Sequence, residues 1–512
     1  MRRFTEKRLK DVTWYVPVGQ EALLEGLEGL VKFHEGAGVT VLKKGRRKSF
    51  ALLETVVNGG EVYVKTFRVK GILQRLKHQF IKSKALRELE VSLVAQERGI
   101  PVVLPLAAGE KYQGGLLQES YLLIQRLPGA FNLLEYLCTR DTTHRDKARV
   151  IEALGRLSRK THDEGILQED FALNNFLLAN PQDSRGDPVG RPYKIFLIDF
   201  ERSRVSQGLS TEEKEWTLAK LNRIGADFTL TDKFRFLKAY CKTKEEFRDL
   251  PRWKRLEAYT HQILKRDAQR ISNACVRGDR GYKSYKDARL TCCFLEGYHL
   301  EELLALAPTR QEIQEERRGQ FNVSWYTAKI KKGTAVETVR VCEFYSQQKG
   351  IPLATAAWRG ANGLRKAYFP VSPPVAAIEW TQAKGYKGVL LVKELEGVED
   401  IRDVLQRCPQ SAEGRYSILW HVARFFSRLH NFGIFAYSVS PGDISLVKDR
   451  TGVYKPFLTR PYNFLAKKCL ERGHRDREMD IQRLEDYLQG ILTQGERDYL
   501  RGQYLQYTSI IS

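Results

Sequence analysis

The sequence predicts an α+β chain in which a small β-rich lobe is followed by a larger α-rich lobe, with the pair present twice in tandem. Three observations carry this expectation. Short runs rich in Val, Thr, Tyr and Phe, broken by Gly or Asn-Gly-Gly, crowd residues 37–68. Helical spacing dominates 71–98, 130–164 and 210–290. Segments of the front half also recur in order in the back half.

GVTVLKKG, SFALLETVV and EVYVKTFRV read as three strands, with the turn Asn58-Gly59-Gly60 closing a hairpin. GILQRLKHQFIKSKALRELEVSLVAQERG then takes helical spacing and stops at Gly99-Ile100-Pro101. VVLPLAAGEKYQG and ESYLLIQRLPG form a strand pair that completes the small lobe. Beyond them, FNLLEYL and KARVIEALGRLSRKTHDEG are helical, ILQEDFALNNFLLA and YKIFLIDFE are buried-looking strands, and a charged helical stretch follows. A cleft between such lobes is a favoured place for a small ligand.

The internal repeat sets the domain plan. LGRLSRKTHDEGIL (154–167) aligns with VARFFSRLHNFGIF (422–435), and YLLIQRLPG (121–129) with VLLVKELEG (389–397), both at an offset of 268. YKIFLIDF (193–200) aligns with YKPFLTRP (454–461) at 261. RGIPV (98–102) aligns with KGIPL (349–353) at 251, which implies a 17-residue insertion near FPVSPPVAAIEW. The expected plan is an N-terminal extension over 1–36, a first copy over 37–285 and a second over 286–512, with the boundary between about 285 and 320.

Composition narrows the class. The 512 residues hold 85 Lys plus Arg and 62 Asp plus Glu, a formal net charge of +23. Such a balance points to an anionic partner: nucleic acid, a phosphorylated ligand or an acidic membrane surface. It is steepest over 251–290, with 11 basic against 4 acidic residues, where the plain alternative is a solvated helical face. No aromatic RNA-recognition or zinc-finger motif accompanies it, so nucleic acid is not expected. No run of about 18 apolar residues offers a transmembrane helix. MRRFTEKRLKDVTWYVPVG carries no apolar core of a secretory signal. The eight cysteines are scattered without a C-x-x-C pair, which fits a reducing cytoplasm.

The chemistry concentrates in the first copy. Asp170-Phe-Ala-Leu-Asn-Asn175 precedes Asp199-Phe-Glu-Arg202, which ends an apolar strand. An Asp five residues before an Asn, then a second Asp after a buried strand, is the phosphoryl-transfer layout of protein-kinase-like enzymes. Asp170 would accept or orient the acceptor hydroxyl proton. Asn175 and Asp199 would offer hard oxygen ligands to Mg²⁺. Lys65, in the strand VYVKTF, would hold the α- and β-phosphates of ATP, and Glu88 on the next helix would pair with it. Taken singly, Asp170 reads as a turn residue, Lys65 as a solvated strand lysine, and Glu88 is interchangeable with Glu90. Their order gives them weight: strand Lys, helix Glu, Asp/Asn loop, strand Asp.

THDEGILQEDFALNNFLL together with FLIDFER resembles the lipopolysaccharide kinases that phosphorylate Kdo or heptose of the inner core, and KSKALRELEVSLVAQERGIPVVLPLA is similar to that family's helix and strand entry. The resemblance covers about residues 37–285. It implies a protein-kinase-like bilobal fold and an ATP- and Mg-dependent transfer to a sugar hydroxyl. Carried over by position, it implies Lys65 and Glu88 for ATP, Asp170 as base, and Asn175 and Asp199 for metal. Gln168 stands where such a loop usually has His, and the phosphate-covering turn KKGRRKS (43–49) has a single glycine. The acceptor implied is a lipopolysaccharide core sugar, with peripheral contact to the anionic inner face of the cytoplasmic membrane through the 251–290 basic face. A protein Ser/Thr/Tyr kinase and a non-catalytic scaffold remain as alternatives.

The second copy departs from the pattern. Ser438, Asp443 and Arg460 align with Asp170, Asn175 and Asp199. Serine is no general base and arginine no magnesium ligand, so a degenerate, pseudokinase-like domain is expected there.

Overall fold

The computed structural model describes residues 4–23, 39–44, 48–57, 60–103, 105–127, 129–138, 142–179, 194–223, 228–305, 314–318, 321–346, 353–380, 386–409, 413–436, 443–448, 452–461, 464–466 and 473–508. The chain divides into two compact units, Met1–Leu256 and Glu257–Ser512.

The first unit opens with strands β1 (Phe4–Leu9), β2 (Val12–Pro17), β3 (Val39–Lys44), β4 (Lys48–Val57) and β5 (Gly60–Arg68). Helices α1 (Ile72–Lys77) and α2 (Lys84–Glu97) follow, then β6 (Pro105–Gln113) and β7 (Leu116–Gln125). The seven strands form one antiparallel sheet in the order β1-β2-β6-β7-β5-β4-β3. Alternation along β5 sends Val62 and Val64 to a core with Trp14, Val16 and Leu123, and leaves Lys65 and Phe67 on the α2 side. The Ser83 side chain caps α2 by accepting from the Leu86 amide, and Ala85, Leu86 and Leu89 pack on Phe67, Ala108 and Leu122.

The larger lobe comprises β8 (Ala130–Asn132), α3 (Leu133–Cys138), α4 (His144–Asp163), β9 (Ile166–Gln168), a 3-10 turn Leu173–Asn175, β10 (Phe176–Ala179), β11 (Lys194–Leu197), β12 (Ser203–Val205), α5 (Thr211–Leu221), α6 (Leu230–Tyr240), α7 (Lys244–Arg248) and the start of α8 (Leu250–Arg277), most of which belongs to the second unit. Thr143 caps α4 through the Asp146 amide, and its apolar stripe of Val150, Ile151, Leu154 and Leu157 enters a core with Phe171, Phe176 and Leu197. Gly165, at φ +68°, ends α4 in the left-handed conformation glycine adopts without strain.

The second unit repeats the sheet orders and the lobe plan of the first, though not every helix. Its strands are β13 (Tyr282–Lys286), β14 (Leu290–Leu295), β15 (Gln314–Arg318), β16 (Phe321–Lys332), β17 (Ala335–Ser346), β18 (Pro374–Trp380) and β19 (Tyr386–Lys393). They form a sheet in the order β13-β14-β18-β19-β17-β16-β15, which is the first sheet's order. Helix α9 (Leu300–Leu304) precedes β15, and α10 (Leu353–Lys366) stands where α2 does. Then come β20 (Val398–Asp400), α11 (Ile401–Arg407), α12 (Glu413–Asn431), β21 (Ile434–Ala436), β22 (Ile444–Lys448), β23 (Tyr454–Leu458), β24 (Phe464–Ala466), α13 (Gly473–Tyr487) and α14 (Gln494–Thr508). The three-stranded sheets, β11-β10-β8 and β20-β22-β23, correspond as well. The protein-kinase-like bilobal plan is therefore present twice.

Several expectations shift. Residues 4–17, read as an extension, pair into the first sheet. The helical stretch placed over 210–290 ends at Arg277, and strands of the second sheet begin at Tyr282. The two units meet at 256/257, inside α8, whereas the sequence placed the change of copy at 285/286.

The match of RGIPV to KGIPL is overturned. Val102 bridges Leu197 in parallel as Val371 bridges Leu458. The Leu197 amide donates to the Pro101 carbonyl as the Leu458 amide does to Pro370. Gly99 and Tyr368 both take positive φ at the helix end, +70° and +60°. The partner of Gly99-Ile-Pro-Val102 is thus Tyr368-Phe-Pro-Val371, and no insertion lies there. The helix stop and the proline carry the correspondence, while the Gly-Ile-Pro likeness is incidental.

Gly155 sets how closely α4 and α6 approach: an added methyl group would meet the Phe236 carbonyl oxygen at 2.6 Å and the Ala239 Cβ at 2.9 Å. Gly155→Ala is expected to destabilise the first unit by about 1–3 kcal/mol through overpacking. Urea unfolding of the full chain checks this; an unchanged midpoint would contradict the tight crossing.

Candidate functional site

Lys65 and Glu88 come from neighbouring elements that the fold forces together. Inward alternation on β5 turns the lysine toward α2, and the Ser83 cap fixes where that helix starts. The Lys65 ammonium is 4% exposed and sits 2.9 and 2.6 Å from the two Glu88 carboxylate oxygens. It also donates to Asp199 Oδ1 at 2.7 Å, and Glu201 Oε2 lies 3.9 Å away. Burial pulls the lysine pKa down, but the adjacent Glu88 and Asp199 carboxylates outweigh it and hold the amine above its ordinary value.

Asp199 takes φ +66°, a left-handed conformation that costs a non-glycine residue about 1–2 kcal/mol. Gln168 restrains it. The side-chain amide, buried, donates to the carbonyls of Ile198 at 2.8 Å and Asp199 at 3.0 Å. The residue noted as a departure at the loop's His position thus clamps the backbone of the strand-end aspartate.

Asn175 closes the Asp170 loop: its Nδ2 donates to the Asp170 carbonyl at 2.8 Å, so Oδ1 is the atom it can offer a cation. Its own carbonyl accepts from the Ile198 amide at 3.0 Å, which ties the loop to the residue before Asp199. An amide oxygen and a carboxylate form the hard donor set that magnesium prefers, so these residues fit the ion chemically. The Asp170 side chain is 62% exposed and has Arg223 at 3.8 Å. Below the loop, His162 is buried between Tyr240 Oη and Thr217 Oγ1, each 2.9 Å from a ring nitrogen, and packs on Phe171.

Of the five residues singled out by sequence, Lys65, Glu88 and Asp199 meet at one ammonium, and Asn175 joins Asp170 and Ile198 through hydrogen bonds. Glu201, beside Lys65 and 3.6 Å from Lys84, was not singled out. Its signal was the acidic residue two places after Asp199. Residues 45–47, within the turn expected to cover phosphate, lie outside the described residues, as does Ser438.

The second unit gives the same positions other side chains. Strand register matches Lys65, opposite Leu122, with Cys342, opposite Leu390. The helix correspondence matches Glu88 with Ala357. Cys342 and Ala357 share an apolar core with Trp325 and Trp358. Arg460, at the Asp199 position, lies 3.7 Å from the fully buried Asp443 and stacks on Trp325 with its guanidinium 3.9 Å from the ring centroid.

A buried strand lysine tied to a helix glutamate and a strand-end aspartate defines the class as protein-kinase-like. The chain belongs to the lipopolysaccharide kinase (Kdo/WaaP) family, whose model matches residues 36–240 and 308–448, more than half of its length. Among curated proteins it is 30% identical over 142 residues to a 3-deoxy-D-manno-octulosonic acid kinase of Xylella fastidiosa strain M12, and 29% identical over the same length to that of strain M23. Each match covers 28% of this chain and 50% of the relative, so the chain spans about half the length of the curated relatives it matches. A solved structure titled WaaP in complex with acyl carrier protein is similar at a TM-score of 0.37 and 20% identity, over 49% of this chain and 98% of that one.

Burial pushes the His162 pKa down to about 3 from 6.5. Between those values the unfolded chain binds one proton more than the folded one. The stability held above pH 6.5 therefore declines as the pH falls, by up to about 1.4 kcal/mol per unit. Urea midpoints measured across this window should fall with pH, and His162→Gln should flatten the slope by one proton; an identical slope would contradict the neutral buried ring.

Proposed function

We propose that the first unit transfers the γ-phosphoryl group of ATP to a hydroxyl of heptose or Kdo in the lipopolysaccharide inner core. The observation that carries this reading is the buried Lys65 ammonium shared by Glu88 and Asp199. Family membership and the two Kdo kinase relatives support the sugar acceptor. Lys65 would hold the α- and β-phosphates, with Glu88 keeping the amine in place. Asn175 and Asp199 would hold magnesium, which supplies neutralisation of phosphate charge. The acceptor oxygen forms its bond to the γ-phosphorus as the bond to the bridging oxygen of ADP breaks, and the hydroxyl proton passes to Asp170. The exposure of the Asp170 carboxylate suits a group that must reach a large acceptor from outside.

The second unit is read as non-catalytic. Arg460 puts a fixed cation where the first unit has a carboxylate, and Cys342 and Ala357 leave no ammonium for phosphate. A saturable fluorescent ATP analogue is expected to bind once per chain, and Lys65→Met to abolish that binding. A full equivalent surviving in Lys65→Met would place nucleotide in the second unit.

The transfer itself is tested with labelled ATP and purified core oligosaccharide. Asp170→Asn is expected to lower turnover by about 10²- to 10⁴-fold with ATP binding retained. Equal turnover would remove Asp170 from the reaction, and label appearing on protein instead of sugar would overturn the acceptor assignment.

A further inference from the structure

The connection between β5 and α2 is longer than its topology requires. In the second unit the same step is made by residues 347–352; in the first it takes residues 69–83 and includes α1. None of the α1 side chains is buried. Ile72, Leu73, Leu76, Phe80 and Ile81 all face solvent, with Leu73 80% and Phe80 87% exposed. Five large apolar side chains within ten residues form a patch, unlike the scattered exposed residues that a soluble surface carries without consequence. Lys70, Arg75 and Lys77 are interleaved with them, Lys82 beside them pairs with Glu90 at 2.5 Å, and the sequence has no acidic residue between Glu61 and Glu88.

We infer that residues 70–82 form a docking surface for an anionic lipid bilayer, with Leu73 and Phe80 entering the interface and the basic side chains meeting its phosphates. Charge and composition together select this occupant. The cores of protein–protein contacts are depleted in lysine. Lysines around an apolar patch suit a bilayer, where their stems lie along the hydrocarbon boundary and their ammonium groups reach the headgroups.

The basic face of α8 is a weaker candidate for this role. Arg252 is buried against Tyr240 and Trp253, and Arg255 forms a two-pronged pair with Glu215 at 3.1 and 2.8 Å. The inference needs no catalytic assignment, because it is read from binding alone.

The test is co-sedimentation of the full-length protein with phosphatidylglycerol-containing and pure phosphatidylcholine vesicles, without nucleotide. Binding is expected to the anionic vesicles, to weaken with salt, and to fall at least about tenfold in Leu73→Asp/Phe80→Asp. Both positions are exposed, so the variant should keep the wild-type melting curve and saturable ATP binding. Undiminished binding of the variant overturns the inference. So does loss of binding in Arg266→Glu/Arg270→Glu with the apolar pair intact, which would assign the surface to α8. A concentration-dependent dimer abolished by Leu73→Asp/Phe80→Asp would make the patch a contact between copies and also overturn it.

Discussion

The first unit is organised around one buried ammonium. Lys65 comes from the central region of the small-lobe sheet, Glu88 from the helix packed on that sheet, and Asp199 from the end of a strand segment in the larger lobe. Three elements distant in sequence are thus fixed to a single point. Taking an ammonium and carboxylates out of water is costly, and an apolar replacement of similar volume is often as stable. The arrangement therefore says little about stability and much about position. Asp199 can keep its left-handed backbone because Gln168 grips the carbonyls on either side of the Ile198–Asp199 step and Lys65 grips the carboxylate.

The second unit is an internal control for that argument. It has the same strand order, the same helix after the fifth sheet strand, and the same parallel bridge between the lobes' connecting segments. It has none of the ionic trio. Cys342 and Ala357 fill the corresponding volume with apolar contacts, and Arg460 pairs with Asp443 and stacks on Trp325. The fold does not require the Lys65 cluster, so the first unit keeps it for something other than folding. The buried histidines divide differently: His162 and His430 occupy equivalent places and each bonds a tyrosine hydroxyl, Tyr240 or Tyr504, which marks them as structural in both units.

Much of the site could be read in the sequence because its chemistry is local or periodic. VYVKTF fixes which strand face carries Lys65, and the spacing from Asp170 to Asn175 is the span of one closed loop. What could not be read depends on pairing at a distance. Residues 4–17 show no signal that they join a sheet through β6. Glu201 becomes part of the cluster only through the turn after Asp199. The likeness of KGIPL to RGIPV misled because identical letters outweighed a helix end at which Tyr368 takes the conformation Gly99 takes. Arg252 and Arg255 counted as free charge in the sequence, while Glu215, 40 residues from Arg255, claims both.

The same lesson bears on the net charge of +23. A sum over the chain treats every lysine and arginine alike, but folding spends many of them on internal partners. Arg415 is buried on Glu496, Arg501 is paired with Glu485, and Arg159 bridges Asp163 and Glu246. What remains for an external partner is decided by where basic residues lack nearby acids. The stretch from Val62 to Arg87, which joins Lys65 to Glu88, has no acidic residue of its own. Lys65, Arg68, Lys82 and Lys84 nevertheless find Glu88, Glu119, Glu90 and Glu201 outside it, so Lys70, Arg75 and Lys77 are the basic residues that matter beside the apolar side chains of α1. One connection thus carries an exposed apolar and basic surface at its middle and the two partners of the buried Lys65–Glu88 pair at its ends.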